Sequence, residues 1–287
     1  MIYPASVTPL TPAGEIDMAG VVRLVSWFRA AGVDGILVAG TNGEGPSLSA
    51  VEKRDLLKQA ISVAQGTPVV LGIATNAISE AIWLTEQAAK AGAEAALIMP
   101  PGFFKESGQP GLIAWFQAIL ERASLPVWIY NFPQRTGVRI EPDTFARLAE
   151  HAMFGGVKDS SGEAENIDTF ARILPGKRLF VGDENLYLEA RRGGWTGAIS
   201  GATNILCSWL VQIDREWPSD PESAETKFEL ILPSLRALRD APQPYTNKEI
   251  LRRLGVLETA QLKPPLQPKP GEKLEMAAKQ AMRMINR

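Results

Sequence analysis

A lysine closes an otherwise uncharged segment, Phe154-Gly155-Gly156-Val157-Lys158, and Asp159 with the turn-forming Ser160-Ser161-Gly162 follows at once. An amine at the mouth of a parallel sheet can condense with a carbonyl, so Lys158 is the candidate Schiff-base nucleophile. A free lysine amine has a pKa of about 10.4, which leaves only about one molecule in a thousand neutral near pH 7.5. The chemistry therefore asks for burial and for no adjacent carboxylate. Asp159 is next in sequence, but successive strand residues face opposite sides, so it is expected to turn away and anchor the following loop. The plainer alternative for Lys158 is a strand-end amine that merely reaches water.

Two further segments could cooperate with it. In Gly40-Thr41-Asn42-Gly43-Glu44-Gly45 the glycines let backbone amides approach a ligand and Thr41 adds a hydroxyl. In Trp128-Ile129-Tyr130-Asn131-Phe132-Pro133 the proline holds Phe132 extended and ends a strand abruptly. Tyr130 could equally be a half-buried aromatic with a satisfied hydroxyl, and Glu44 and Asn131 could simply brace loops.

Bringing these segments together requires a particular scaffold. Buried strands alternate with amphipathic helices about eight times, with strands expected near 3–8, 33–39, 68–73, 94–99, 126–131, 153–158, 178–182 and 196–201. Ala31-Gly32-Val33 and Ala91-Gly92-Ala93 repeat one pattern, a helix end, a glycine cap and a strand start, and Gly193-Gly194-Trp195 echoes it. Met18, Val21, Val22, Val25 and Phe28 fall at helical spacing, as do Leu57, Ala60, Ile61 and Ala64, and Ile78, Ala81, Ile82 and Thr85, and all read as core stripes. Ser49 and Glu52 form a capping box that opens the second helix. Strict alternation argues a parallel sheet with helices outside, and eight units favour a closed (β/α)8 TIM barrel, whose chemistry sits at the carboxyl ends of the strands. The sequence carries no dinucleotide fingerprint, phosphate loop or nucleophile elbow. After residue 215 only helices are expected, about 221–240, 248–255 and 271–285, so the chain divides into a barrel over 1–215 and a C-terminal helical extension over 216–287.

Composition narrows the partners. The 287 residues carry a formal charge of −2 with 22% charged residues, which gives no basic face for nucleic acid or anionic lipid and leaves small molecules. Cys207 and His151 are the only residues of their types, which excludes an intrachain disulfide and the common zinc sets. His151 follows a helix predicted over 145–150, at the barrel end away from the expected site. The first residues lack a basic and then apolar leader, and no apolar run is long enough to span a bilayer, so a cytoplasmic location is expected.

The motifs GTNGEG at 40–45, YNFPQRTG at 130–137 and GVKDSSG at 156–162, in this order and separation, resemble the signatures of the dihydrodipicolinate synthase and N-acetylneuraminate lyase family, and the likeness covers essentially the whole chain. That resemblance implies a class I aldolase handling pyruvate as an enzyme-bound imine, with no metal or organic cofactor, and a homo-oligomer, a dimer or a tetramer built from dimers. It assigns the imine to Lys158, proton shuttling to Tyr130 and Thr41, and the pyruvate carboxylate to the Thr41 hydroxyl and the amides of Thr41 and Asn42. It also puts the backbone around Ile199 in the pocket wall.

Departures from the family pattern bear on the reaction. The synthases usually carry a second threonine where this chain has Asn42, and asparagine there is similar to the 4-hydroxy-2-oxoglutarate aldolase branch. The synthases also send a tyrosine across a subunit interface from the loop after the fourth strand, where this chain has Phe103 and Phe104. Arg135 stands where the synthases place an arginine for the carboxylate of the incoming aldehyde, and a planar guanidinium suits that fork. A pyridoxal phosphate enzyme and a non-catalytic 2-oxo-acid binder are the rivals from other classes.

Overall fold

The computed structural model describes residues 1–286. Eight short strands form one parallel sheet: β1 (Ile2–Pro4), β2 (Ile36–Val38), β3 (Val69–Ile73), β4 (Ala95–Ile98), β5 (Val127–Asn131), β6 (Phe154–Asp159), β7 (Arg178–Val181) and β8 (Gly197–Ser200). Their order is β1-β8-β7-β6-β5-β4-β3-β2, and a parallel bridge between Ala5 and Leu37, with the Ser6 N–H donating to the Leu37 carbonyl at 2.9 Å, closes the ring. This is the expected (β/α)8 barrel. Each strand lies within the range expected of it to about a residue, but β1 and β2 are shorter. Ala39 adopts a left-handed φ of 54°, which turns the chain out of the sheet after Val38 and into the Gly40–Gly45 loop.

Alternation along the strands separates two cores. Tyr3, Ala5, Leu37, Val70, Ala95, Leu97, Trp128, Tyr130, Phe180 and Ile199 fill the barrel interior. Their neighbours, such as Ile2, Val38, Leu71, Ile129 and Val157, face the surrounding helices. Inside, Trp128 packs on Phe180 with ring centroids 5.0 Å apart, and Tyr3 meets both rings edge-on, so the lower barrel is filled with aromatic side chains.

The helical stripes are partly as expected. Val21, Val25, Phe28, Leu57, Ala60, Ala64, Ala81 and Thr85 are buried, and Ser49 and Glu52 form both bonds of the capping box. Met18, Val22 and Ile78 are exposed instead. Met18 and Ile78 each begin a helix, and Val22, 100° around from Val21, falls on the solvent flank. His151 lies at the amino end of β6, where its Nδ1 accepts from the Met153 N–H at 3.1 Å.

The later helices are Pro221–Asp240, Tyr245–Arg253 and Glu272–Ile285. The Trp209 indole N–H donates to the Met284 carbonyl at 2.9 Å, tying the last helix to Thr203–Glu216. The helix Tyr245–Arg253 is held more deeply. Lys248, wholly buried, pairs with Glu44 of the Gly40–Gly45 loop and donates to the Gln261 carbonyl at 2.6 Å, while the Lys263 N–H donates to the other Glu44 oxygen at 2.7 Å. Burial pulls the Lys248 amine below the usual lysine range, with Glu44 working against it. Removing one member of a buried pair strands the other charge. Lys248→Met should therefore lower unfolding free energy in urea by about 3–5 kcal/mol, and Lys248→Met combined with Glu44→Gln should recover more than half of that loss.

Candidate active site

Register places Tyr130 of β5 directly beside Lys158 of β6, and Lys158 beside Phe180 of β7. Both polar residues point into the barrel, each only 4% exposed. The Lys158 Nζ lies over the Tyr130 ring, 4.1 Å from its centroid. The Ser160 hydroxyl lies 3.5 Å from the Tyr130 hydroxyl, and Phe132 stacks on the Tyr130 ring at 5.6 Å.

Gly182, one residue past the end of β7 and across from Ser160, leaves room for Ser160 and for the Lys158 side chain. A Cβ there would lie 1.9 Å from Ser160 Oγ and 3.0 Å from Lys158 Cε. Asp159, the nearest carboxylate in sequence, is kept on the other face. Its oxygens accept from Asn131 Nδ2 at 2.6 Å, from the Ser161 hydroxyl at 2.7 Å and from Asn166 Nδ2 at 3.2 Å. Burial raises its carboxyl above the usual range while those donors pull it down. Three lysines are buried among the described residues: Lys53 pairs with Glu80, Lys248 pairs with Glu44, and Lys158 has no carboxylate within ion-pair distance.

Above the amine opens a cavity of about 1050 Å³, lined by Thr41, Asn42, Tyr130, Arg135 and Lys158 among others. The Thr41 hydroxyl is buried with no hydrogen-bond partner among the described residues. Among the described residues, the N–H groups of Thr41 and Asn42 also donate to no protein acceptor. One loop thus carries three unpaired donors, which suits an anionic ligand. Arg135 is exposed on the cavity wall and belongs to none of the ion pairs among the described residues. Ile199 packs in the barrel interior with Tyr130, and Gly201 and Ala202, just beyond it, line the cavity. Phe103 and Phe104 stand apart, 73% and 65% exposed and packed edge-to-face on each other.

Sequence reading passed over several wall residues. Ser160 stood inside a motif already singled out. Glu184, buried beside the cavity, accepts from the Ala202 N–H at 2.9 Å, and Arg239 pairs with Asp183 at 2.7 Å. The segment Gly182-Asp183-Glu184 at the end of β7 was a legible signal, since every barrel strand end is a candidate. Arg239, Asn247 and Lys248 lie on helices beyond the barrel repeat and carried no local signal.

The chain is similar to known proteins of this architecture. A family model described as the dihydrodipicolinate synthetase family matches residues 1–283. The 4-hydroxy-tetrahydrodipicolinate synthase of Bacillus velezensis is 31% identical over 270 residues, covering 93% of each chain. That of Methanococcoides burtonii is 32% identical over 285 residues, covering 96% of this chain and 95% of its own. Among solved structures, the dihydrodipicolinate synthase of Acinetobacter baumannii complexed with pyruvate superposes with a TM-score of 0.92 at 32% identity, with 98% of each chain covered. A Bacillus anthracis dihydrodipicolinate synthase gives 0.92 at 29% identity, over 98% of this chain and 97% of its own.

The tight fit around Gly182 can be tested directly. Gly182→Ala should displace the Lys158 side chain and slow its borohydride-dependent labelling by 2-oxo acids by about a hundredfold, the scale of a 1 Å misplacement. Circular dichroism should remain that of the parent.

Proposed function

Because the chain belongs to the dihydrodipicolinate synthetase family, we propose that it is a class I aldolase-type lyase that makes or breaks a carbon–carbon bond to pyruvate through an imine on Lys158. The observation that carries this reading is the buried Lys158 amine, with no carboxylate among the described residues within ion-pair distance, seated against Tyr130 under a cavity with unpaired anion-binding donors.

The steps follow from the chemistry of the amine. Lys158 Nζ adds to C2 of pyruvate, and the former carbonyl oxygen leaves as water after protonation. The resulting iminium draws electrons from C3, whose proton departs to give an enamine. Enamine C3 attacks the carbonyl carbon of an aldehyde, the aldehyde oxygen takes up a proton, and water then hydrolyses the imine to restore Lys158. Tyr130 carries protons in imine formation and bond cleavage, with the Thr41 hydroxyl as its partner in the relay. The Thr41 hydroxyl and the Thr41 and Asn42 amides hold the pyruvate carboxylate, and the backbone around Ile199 completes the wall. Arg135 meets a carboxylate on the second substrate. The protonated imine is itself the electron sink, so the reaction asks for no metal or organic cofactor.

A second reading runs the same steps backwards on a 4-hydroxy-2-oxo acid and releases pyruvate. Asn42 in place of the synthases' threonine, and Phe103 and Phe104 in place of their interface tyrosine, favour it. In either direction we place the enzyme in the cytoplasm as a homo-oligomer, a dimer or tetramer. Among the described residues no helix is long and apolar enough to cross a membrane.

Incubation with pyruvate and borohydride should leave a reduced adduct on the peptide that contains Lys158, read by mass spectrometry. Lys158→Ala should abolish both trapping and turnover while the barrel still folds; turnover in that variant would reject the mechanism. Tyr130→Phe should slow turnover by about a hundredfold or more. Pyruvate binding without an adduct would identify a non-catalytic 2-oxo-acid binder. With aldehydes screened against the enamine, Arg135→Ala should raise KM for a carboxylate-bearing aldehyde and leave that for an uncharged one unchanged.

A further inference from the structure

Asn247 sits on the helix Tyr245–Arg253, wholly buried behind the cavity wall. Its Nδ2 donates to the Gly201 carbonyl at 2.9 Å and makes a longer contact, 3.4 Å, to Asn42 Oδ1. Its own Oδ1 has no partner among the described residues. A buried amide with one end unpaired is a poor choice for stability alone.

The polarity of this chain of groups is fixed from one end. A backbone carbonyl can only accept, so Asn247 must turn its NH2 group toward Gly201. The second hydrogen of that NH2 group then faces Asn42, which must answer with its oxygen. Asn42 is left showing its own NH2 group. That nitrogen lies over the Gly201 Cα, 2.8 Å from where a Cβ would stand, and donates to no protein atom among the described residues. Both Asn42 and Gly201 line the cavity. Gly201 is itself held, since its carbonyl also accepts from Asn204 Nδ2 at 2.9 Å.

We infer that Asn247 is a positioning residue for 2-oxo-acid recognition, locking the Asn42 side chain as a hydrogen-bond donor toward the substrate carboxylate. The inference rests on the pyruvate reading above. It adds a third element, the helix Tyr245–Arg253, to a subsite otherwise built from strand ends, and makes acceptor oxygens the groups that this side chain selects.

The test is the pyruvate concentration that half-saturates borohydride trapping at Lys158, together with the trapping rate at saturation. Asn247→Leu should raise the half-saturating concentration by about tenfold, the scale of one hydrogen bond to a charged group, with the saturated rate unchanged. In an Asn42→Ala background the same substitution should add less than about twofold, because its route of action is already gone. An equal factor in both backgrounds, or no effect of Asn247→Leu in an enzyme that traps normally, overturns the inference and leaves the lyase reading intact. No trapping in the parent enzyme overturns both. Should Asn247→Leu fail to fold, Asn42→Asp decides the question at a partly exposed site: replacing the donor by an acceptor should weaken pyruvate saturation by about tenfold or more, and parent-like saturation overturns the inference.

Discussion

An amine enclosed in a barrel, with no counter-ion among the described residues, is the constraint around which the rest is arranged. Burying a charge is costly unless it is paired, and the chain follows that rule at Lys53 and Lys248, each with its own carboxylate. Lys158 is the exception. Its amine rests on the face of Tyr130, an arrangement that holds a cation weakly and leaves the nitrogen open toward the cavity. Glycine at 182 makes the room, and the register between β5 and β6 supplies the tyrosine. A group kept in this state contributes little to stability, which is why we propose a reactive role for it.

The reactive end of the barrel is stabilised from outside the repeat. Glu44 belongs to the same loop as Thr41 and Asn42, yet it turns away from the amine and binds Lys248 and the Lys263 N–H. Its work is mechanical: it holds the loop that carries the unpaired donors and lines the cavity. Lys263 extends the clamp, its Nζ meeting Glu52 at 2.7 Å. Asn247, one residue before Lys248, reaches Gly201 and Asn42 from the same helix. Two consecutive residues of one helix thus hold two side chains, Asn42 and Glu44, of the loop after β2.

Local signals carried most of the architecture. Strand positions were legible because each buried run is short and apolar and several follow a glycine at a helix end, as at Gly32, Gly92 and Gly194, and because Lys158, Tyr130 and Thr41 all fall at strand ends, where a barrel places its chemistry. The exposed Met18 and Val22 show the limit of periodicity, since a stripe three residues wide looks the same whether its flank meets a neighbour or water. Lys248 and Asn247 were invisible for a different reason. Each lies about 205 residues from its partner in the Gly40–Gly45 loop, so nothing near either residue distinguishes it from an ordinary helix position.

Asp159 shows how closely the two faces of one strand are separated. It follows Lys158 directly, and a carboxylate about 4 Å from an amine favours the ammonium form by roughly 4 kcal/mol at an effective dielectric near 20. That is enough to suppress nucleophilic attack by about a thousandfold. The pleat turns Asp159 outward, and Asn131, Ser161 and Asn166 then occupy its oxygens with donors, so rotation back toward the barrel would cost four hydrogen bonds. The same bonds order the loop after β6, including Ser160, whose hydroxyl meets Tyr130. A residue that would quench the amine if it faced inward is therefore used, facing outward, to build the wall around it.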